Sequence, residues 1–393
     1  MSRNSWSAIL GVLLWVGPAA AGELVVIGGA LEPDHEGIYR RILDAALPDR
    51  PICILPTASS EPENSMNSYL ADFQRYGGEK AAVGRLITQE DRRKAENEGV
   101  GRALKSCGGF FFTGGDQSRI VELFRPEGRD TPVAAALRQV LAEGGVVAGT
   151  SAGAAMMSDP MIGGGSSEKA LEHGVVERDG EPGVWVRSGM GFLPGALVDQ
   201  HFLERGRVGR LLVATAQQKH RLGLGISENT ALAVRGLGTD EFVGEVIGPS
   251  GVLVADLGPA TPGGVVGARL WLLGDGDRFE FSPRSTRSRV VVPASTKIPV
   301  VAEGKATKDQ NIRSPRRLWR DGAFHGWLMR LATSERASAE AGRSGPRIRL
   351  RKDEGFRALV DPERTKNLFA GPFVVEALDP KDERDTTTPE DEP

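Results

Sequence analysis

Five histidines and two cysteines are all the imidazole and thiol groups that 393 residues supply. No His, Cys or paired-carboxylate cluster with ligand spacing occurs, so neither a metal nor another cofactor is expected. Cys53 and Cys107 are too few for a disulfide-dense scaffold. Both sit at or beside expected buried strands. The expected strand order places another strand between them, so they read as two packed thiols rather than a bridge. Excess positive charge is also missing. The formal net charge is −3, with acids and bases mixed along most of the chain, and nothing favours nucleic acid as a partner. No internal repeat is found. The N-terminal apolar run, Ile9 to Val16, falls well short of the about 20 residues that span a bilayer. With Arg3 ahead of it and the small-residue site Ala19-x-Ala21 after it, residues 1–21 read as an export signal cleaved before Gly22. No Cys follows that site, so a lipoprotein anchor is not expected. The mature protein should be periplasmic or secreted, without a stable membrane anchor.

What is present is an alternation. From Glu23, short apolar runs and helical patterns take turns, the mark of a parallel sheet covered on both faces. Strands are expected at Leu24 to Ile27, Ile52 to Leu55, weakly near Ala82 to Leu86, at Gly109 to Thr113 and at Val146 to Ala148. Thr131 to Glu143 reads as a helix closed by Gly144-Gly145, and a later helix carries Val208, Leu211, Leu212 and Thr215. The fold class is therefore α/β, a doubly wound, mostly parallel, three-layer sheet, and ligands in such folds gather beyond the carboxyl ends of the strands. Partly antiparallel strands follow at Ala231 to Val234, Phe242 to Ile247, Val252 to Ala255 and Leu270 to Leu273. The main domain is expected to cover residues 22–285. Residues 286–378 form a C-terminal extension without an assigned role, in which Trp319 to Leu331 could be a packed helix. Residues 379–393 are an acidic tail expected to be disordered.

Gly149-Thr150-Ser151-Ala152-Gly153 has the form G-x-S-x-G between an apolar strand and a small-residue helix start, the context of a nucleophile elbow. A hydroxyl there stands above the sheet, and the backbone N–H of Ala152 can face a developing oxyanion. A strand leading into a Gly-rich helix start is also a common phosphate cradle. A nucleophilic serine needs a base. Of the histidines, His35 lies in an early loop, His173 in a loose insertion, His220 near a helix end and His325 in the extension, which leaves His201 in Val198-Asp199-Gln200-His201-Phe202. Glu228, in Gly225-Ile226-Ser227-Glu228-Asn229-Thr230, could orient its imidazole, although a loop glutamate is more often simply solvated.

Phe112-Thr113-Gly114-Gly115-Asp116-Gln117, Gly149 to Ala154, Asp199-Gln200-His201-Phe202 with Arg205, Arg207 and Arg210, and Gly225 to Thr230 together resemble the signatures of the cyanophycinase and dipeptidase E family of serine peptidases, in that family's order. The resemblance runs from about Glu23 to Phe281. It implies a fold similar to flavodoxin and the class I glutamine amidotransferases, and a triad of Ser151, His201 and Glu228 with an oxyanion hole of Gly115 and Ala152 amides. It also implies that Gln117, Asp199, Gln200, Arg205, Arg207 and Arg210 line the substrate pocket. The arginines suit substrate carboxylates, while their plain reading is pairing with local acids on a solvated helix. The implied substrate is a peptide, foremost the polymer with an aspartate backbone and arginine branches that cyanophycinases cut to β-Asp-Arg. Dipeptidase action on N-terminal Asp or isoaspartyl peptides at the same site, and a secreted binding protein that has lost catalysis, are the rival readings. A related amidotransferase would carry cysteine at position 151. A homodimer is left open, and residues 163–187 resist alignment to the family.

Overall fold

A computed structural model of the chain describes residues 22–239, 241–258, 265–282, 288–291, 297–299, 312, 314–315, 317–320, 322–342, 346–360 and 368–379. The export segment 1–21 and the tail beyond residue 379 lie outside the described residues. In the first part strands and helices alternate: β1 (Glu23–Ile27), α1 (Glu36–Asp44), β2 (Ile52–Leu55), α2 (Pro62–Gly77), β3 (Ala82–Gly84), α3 (Glu98–Leu104), β4 (Gly109–Phe112), α4 (Gln117–Phe124), α5 (Pro132–Ala142), β5 (Val146–Thr150) and α6 (Ala152–Ala155). An excursion follows, of β6 (Met161–Gly165), α7 (Ser167–His173), β7 (Val175–Val176) and β8 (Val184–Arg187). The chain then returns through β9 (Ala196–Asp199), α8 (Val208–Gln217) and β10 (Leu222–Ile226). The remainder is rich in strand: β11 (Ala231–Arg235), β12 (Phe242–Ile247), β13 (Val252–Asp256), β14 (Arg269–Leu273), β15 (Arg278–Phe281), β16 (Ser288–Val291), β17 (Ile298–Pro299), α9 (Ala323–Thr333), β18 (Ser338–Ala341), β19 (Arg347–Val360) and β20 (Leu368–Asp379).

The first sheet has the order β16-β15-β12-β11-β1-β5-β4-β2-β3, and its half from β1 to β3 is parallel. Because each central strand is covered on both faces, its successive residues feed two different cores. Leu24 and Val26 of β1 join Phe110, Phe112 and Val147 in one apolar cluster, whereas Val25 and Ile27 join Phe111, Val146 and Ala148 in another. Burying a phenylalanine side chain of this kind contributes about 1.5–3 kcal/mol. The boundaries follow local chemistry. Thr131 caps α5 through its hydroxyl, which accepts the Ala134 N–H, and Pro132 occupies the first turn where no donor is needed.

A second sheet, β17-β19-β20-β14-β13-β10-β9 with β18 on the free side of β19, was not anticipated as a separate layer. It packs Val252, Val254, Trp271 and Leu273 into the cluster that lies under the first sheet, while Leu253, Ala255, Leu270 and Leu272 face a core of their own. The expected boundary near residue 285 is therefore not a break between sheets. β16 pairs with β15, and β20 pairs with β14, so the extension completes both.

The reading of Cys53 and Cys107 as free thiols is corrected: they form a disulfide with their Cα atoms 5.7 Å apart. No strand intervenes, because β2 is the direct parallel neighbour of β4 and sets Ile52 beside Gly109. Cys107, two residues before Gly109, thereby comes alongside Cys53 within bridging range.

Candidate active site

Five strand ends converge on one point. β5 runs into Ser151, β4 into Gly114-Gly115, and β1 into Gly28-Gly29, all on the first sheet. β9 and β10 bring His201 and Glu228 from the second. Backbone hydrogen bonds tie the two sheets together there, the N–H groups of His201 and Asn229 donating to the carbonyls of Gly28 and Gly29 at 2.6 and 2.8 Å; within the first sheet, Ser151 N–H donates to the Ile27 carbonyl at 3.0 Å.

Ser151 has φ +54° and ψ −109°, a conformation that a non-glycine residue holds only when its surroundings impose it. They do so by close packing, since a Cβ on Gly149 would come within 2.4 Å of the Gly153 carbonyl oxygen. The turn leaves the Ser151 hydroxyl projecting toward His201, whose Nε2 lies 2.9 Å from Oγ. On the far side of the ring, Nδ1 is 2.5 Å from Glu228 Oε1. A carboxylate at Nδ1 places the ring proton there and leaves Nε2 as the acceptor of the serine hydroxyl.

Burial pushes the His201 pKa below the ordinary histidine value, against the opposing effect of the hydrogen bond that Nδ1–H donates to Glu228, and the nearby charges of Arg205 and Arg207 push it further down. The imidazole is thus neutral at pH 7 and able to take a proton. Glu228 N–H donates in turn to Glu204 Oε2 at 3.2 Å, and burial raises the pKa of Glu204.

The Gly115 and Ala152 amides have no protein acceptor among the described residues. Ala152 opens α6, where the first N–H groups of a helix have no intrahelical partner, and Gly115 is exposed beside the serine. Of the expected wall residues, Arg205 is exposed and has no ion pair among the described residues. Arg207 donates to the Gln200 carbonyl at 2.7 Å, and burial depresses its pKa to about 10. Gln200 keeps a buried Oε1 without a partner among the described residues. Gln117 is directed away, its amide nitrogen donating to the Ile162 and Gly163 carbonyls at 3.0 Å each.

Asp199 and Arg210 depart from the expectation. They form a buried two-point ion pair at 2.7 and 2.6 Å, with side chains 1% and 5% exposed, and Arg210 also donates to the Gly165 carbonyl. As they stand, these two brace β9 against α8 and are closed to a substrate, which is the plain reading of pairing with a local acid.

Gly28-Gly29, directly after the expected strand Leu24 to Ile27, is a contributor that sequence reasoning did not assign to the site. Gly29, at φ +106°, lies so close to His201 that a Cβ would meet ring atoms at 2.3 to 2.8 Å. A glycine pair directly after a buried strand was the available signal.

Comparison with known proteins gives a consistent result. The model of peptidase family S51 matches residues 24–241. The cyanophycinase of Trichormus variabilis is 34% identical over 289 residues, 70% of this chain and 89% of that protein. The cyanophycinase of Geminocystis herdmanii is 36% identical over 283 residues, 68% of this chain and 97% of that one. The crystal structure of a peptidase from an acI-B1 Actinobacterium superposes with a TM-score of 0.45 at 20% identity, over 61% of this chain and 93% of that one.

Proposed function

The chain belongs to peptidase family S51 and is a serine-type peptidase, and from that premise we propose that Ser151, His201 and Glu228 form its catalytic triad and that it cuts aspartyl amide bonds of the β-Asp-Arg kind. The observation that carries the triad is the unbroken chain from Ser151 Oγ through the imidazole to the Glu228 carboxylate. Ser151 Oγ attacks the carbonyl carbon of the scissile amide as its proton passes to His201 Nε2. Glu228 stabilises the imidazolium so formed. The Gly115 and Ala152 amides receive the oxyanion, a donor of this sort being worth about 10²–10³ in rate. The C–N bond then breaks, the amine leaves with the proton from Nε2, and water hydrolyses the acyl-serine by the same route in reverse.

The substrate assignment is supported by the two cyanophycinases, each covered over most of its length. Arg205, exposed beside His201 and without an ion pair among the described residues, is suited to a substrate carboxylate. Export belongs to the same proposal. A buried disulfide between Cys53 and Cys107 fits an oxidising compartment, as does the segment from Arg3 to Ala21.

The test is digestion of the polymer of aspartate backbone and arginine branches by purified protein, with the products identified by mass. Release of β-Asp-Arg by the wild type and not by Ser151→Ala is expected. An intact polymer alongside cleaved N-terminal-Asp dipeptides would replace the substrate while keeping the triad.

A further inference from the structure

His201 opens a tight turn that runs to Arg207. Its φ of +46° is one that a residue with a Cβ keeps only where neighbours hold it. Its carbonyl accepts the Arg205 N–H at 3.1 Å, and the Arg207 N–H reaches back to the Phe202 carbonyl at 3.0 Å. Glu204, inside the turn, accepts the Glu228 N–H at 3.2 Å. One turn thus holds the imidazole and is tied to its carboxylate partner.

Gly206, at φ +60°, is gripped from two sides. The Ser167 hydroxyl at the start of α7 donates to its carbonyl at 2.6 Å. On the other side the backbone of Trp319 and Arg320 lies directly against it: a Cβ on Gly206 would meet the Trp319 carbonyl oxygen at 2.3 Å, its carbon at 2.4 Å and Arg320 N at 2.8 Å. Trp319 and Arg320 belong to the C-terminal extension, beyond the residues 24–241 that the S51 model matches. Their own position is pinned. The Trp319 indole N–H donates to the Pro346 carbonyl at 3.0 Å, its ring stacks on Phe324 of α9 with centroids 5.8 Å apart, and Arg320 pairs with Glu168 of α7 at 3.1 Å. Leu318, Trp319 and Phe324 share one apolar cluster with Phe202 and Leu203 of the turn, so the contact is part of a core.

We propose that the extension serves the reaction as an outer clamp: Trp319 and Arg320 close on Gly206, and Trp319 is thereby a positioning residue for His201 and Glu228. Ser167 offers the turn a single hydrogen bond, whereas close-packed backbone and rings leave it no alternative position. Accuracy matters here because a displacement of about 1 Å at the base costs roughly 10²-fold in rate. The inference rests on the reading of Ser151, His201 and Glu228 as the triad, and gives the extension a part in it.

The experiment compares full-length Trp319→Ala with Trp319→Phe, which keeps a ring against Phe324, on an aspartyl peptide that the wild type cuts. In Trp319→Ala, kcat should fall about tenfold. A loosened turn also lets water reach His201. Because burial outweighs the charges of Glu228, Arg205 and Arg207 in holding its pKa low, the acid limb of kcat/KM should move to higher pH. Trp319→Phe should return kcat to within about threefold of wild type and restore the limb. Gly206→Ala presses on the same contact from the turn and should lower kcat at least about tenfold. Gly78→Ala, also at positive φ but with nothing within 4 Å of the added methyl, should keep the wild-type kcat. An unchanged kcat or an unmoved acid limb in folded Trp319→Ala overturns the clamp and leaves the triad standing. Should that variant not fold, a folded Gly206→Ala with wild-type kcat overturns it instead. If Ser151→Ala cuts the peptide as fast as wild type, triad and clamp fall together.

Discussion

Replacing Gly29 by alanine should disable the site while leaving most of the fold in place. The new methyl would lie 2.3 Å from His201 Cε1 and 2.4 Å from Nε2, where ordinary carbon contacts need about 3.5 Å. The ring must therefore move by about 1 Å, out of a slot whose two ends are the 2.9 Å contact to Ser151 and the 2.5 Å contact to Glu228. A misplacement of that size costs roughly 10²-fold in rate. The φ of +106° adds a backbone penalty of about 1–2 kcal/mol for a residue with a Cβ. Gly78→Ala separates the two effects, since Gly78 also has a positive φ, +82°, but nothing lies within 4 Å of its missing Cβ. Both variants should lose about the same stability in urea, and only Gly29→Ala should lose kcat on an aspartyl peptide. A Gly29→Ala enzyme within threefold of wild type, or a Gly78→Ala enzyme equally impaired, would refute the argument that Gly29 seats the imidazole.

Other expectations concern pH, braces and the bridge. Because the base must be neutral, kcat/KM should rise with pH through the His201 pKa, which burial holds below the ordinary value, and be level at neutral pH. Arg205→Ala removes a charge that lowers this pKa and should move the acid limb to higher pH, and Glu228→Gln should move it lower with a fall in kcat; a shift of either limb in the opposite sense would contradict the assignment. Arg210→Ala takes the two short bonds from the buried Asp199 carboxylate, leaving it the Arg207 guanidinium at 3.6 Å, and should cost about 3 kcal/mol in urea unfolding, whereas exposed Arg205→Ala should change stability by less than about 0.5 kcal/mol. The disulfide closes a loop with a sequence separation of 54, so unfolding under reductant should show a loss of about 4 kcal/mol against the oxidised protein, and an unchanged midpoint would argue that the bridge contributes little.

The parallel half of the first sheet was legible because its strands, buried on both faces, are unbroken apolar runs, and the serine was legible because its turn requires flanking glycines. His201 was reached by eliminating four other histidines, and Glu228 by its place at the end of an apolar run. The second sheet was hidden by its own composition. Arg347-Ile348-Arg349-Leu350-Arg351 alternates with period two and buries Ile348 and Leu350 completely, yet its arginines read as a charged surface piece. The Cys53–Cys107 bridge depends on β2 lying beside β4, and chain order does not carry spatial order. The Asp199–Arg210 pair joins residues on a strand and a helix, so local spacing could not distinguish a brace from a pocket wall. Gly29 matters through a contact with a ring 172 residues away, which no local pattern announces.

The relay at Ser151 is tested most directly by an activity-based fluorophosphonate, with the modified residue located by peptide mass. Wild type should gain one adduct, on Ser151, at a rate that rises with pH as His201 loses its proton, and folded His201→Ala should label at least about 10²-fold more slowly. A folded, peptide-cleaving wild type that is modified at another serine, or labelling of His201→Ala at the wild-type rate, would contradict the account.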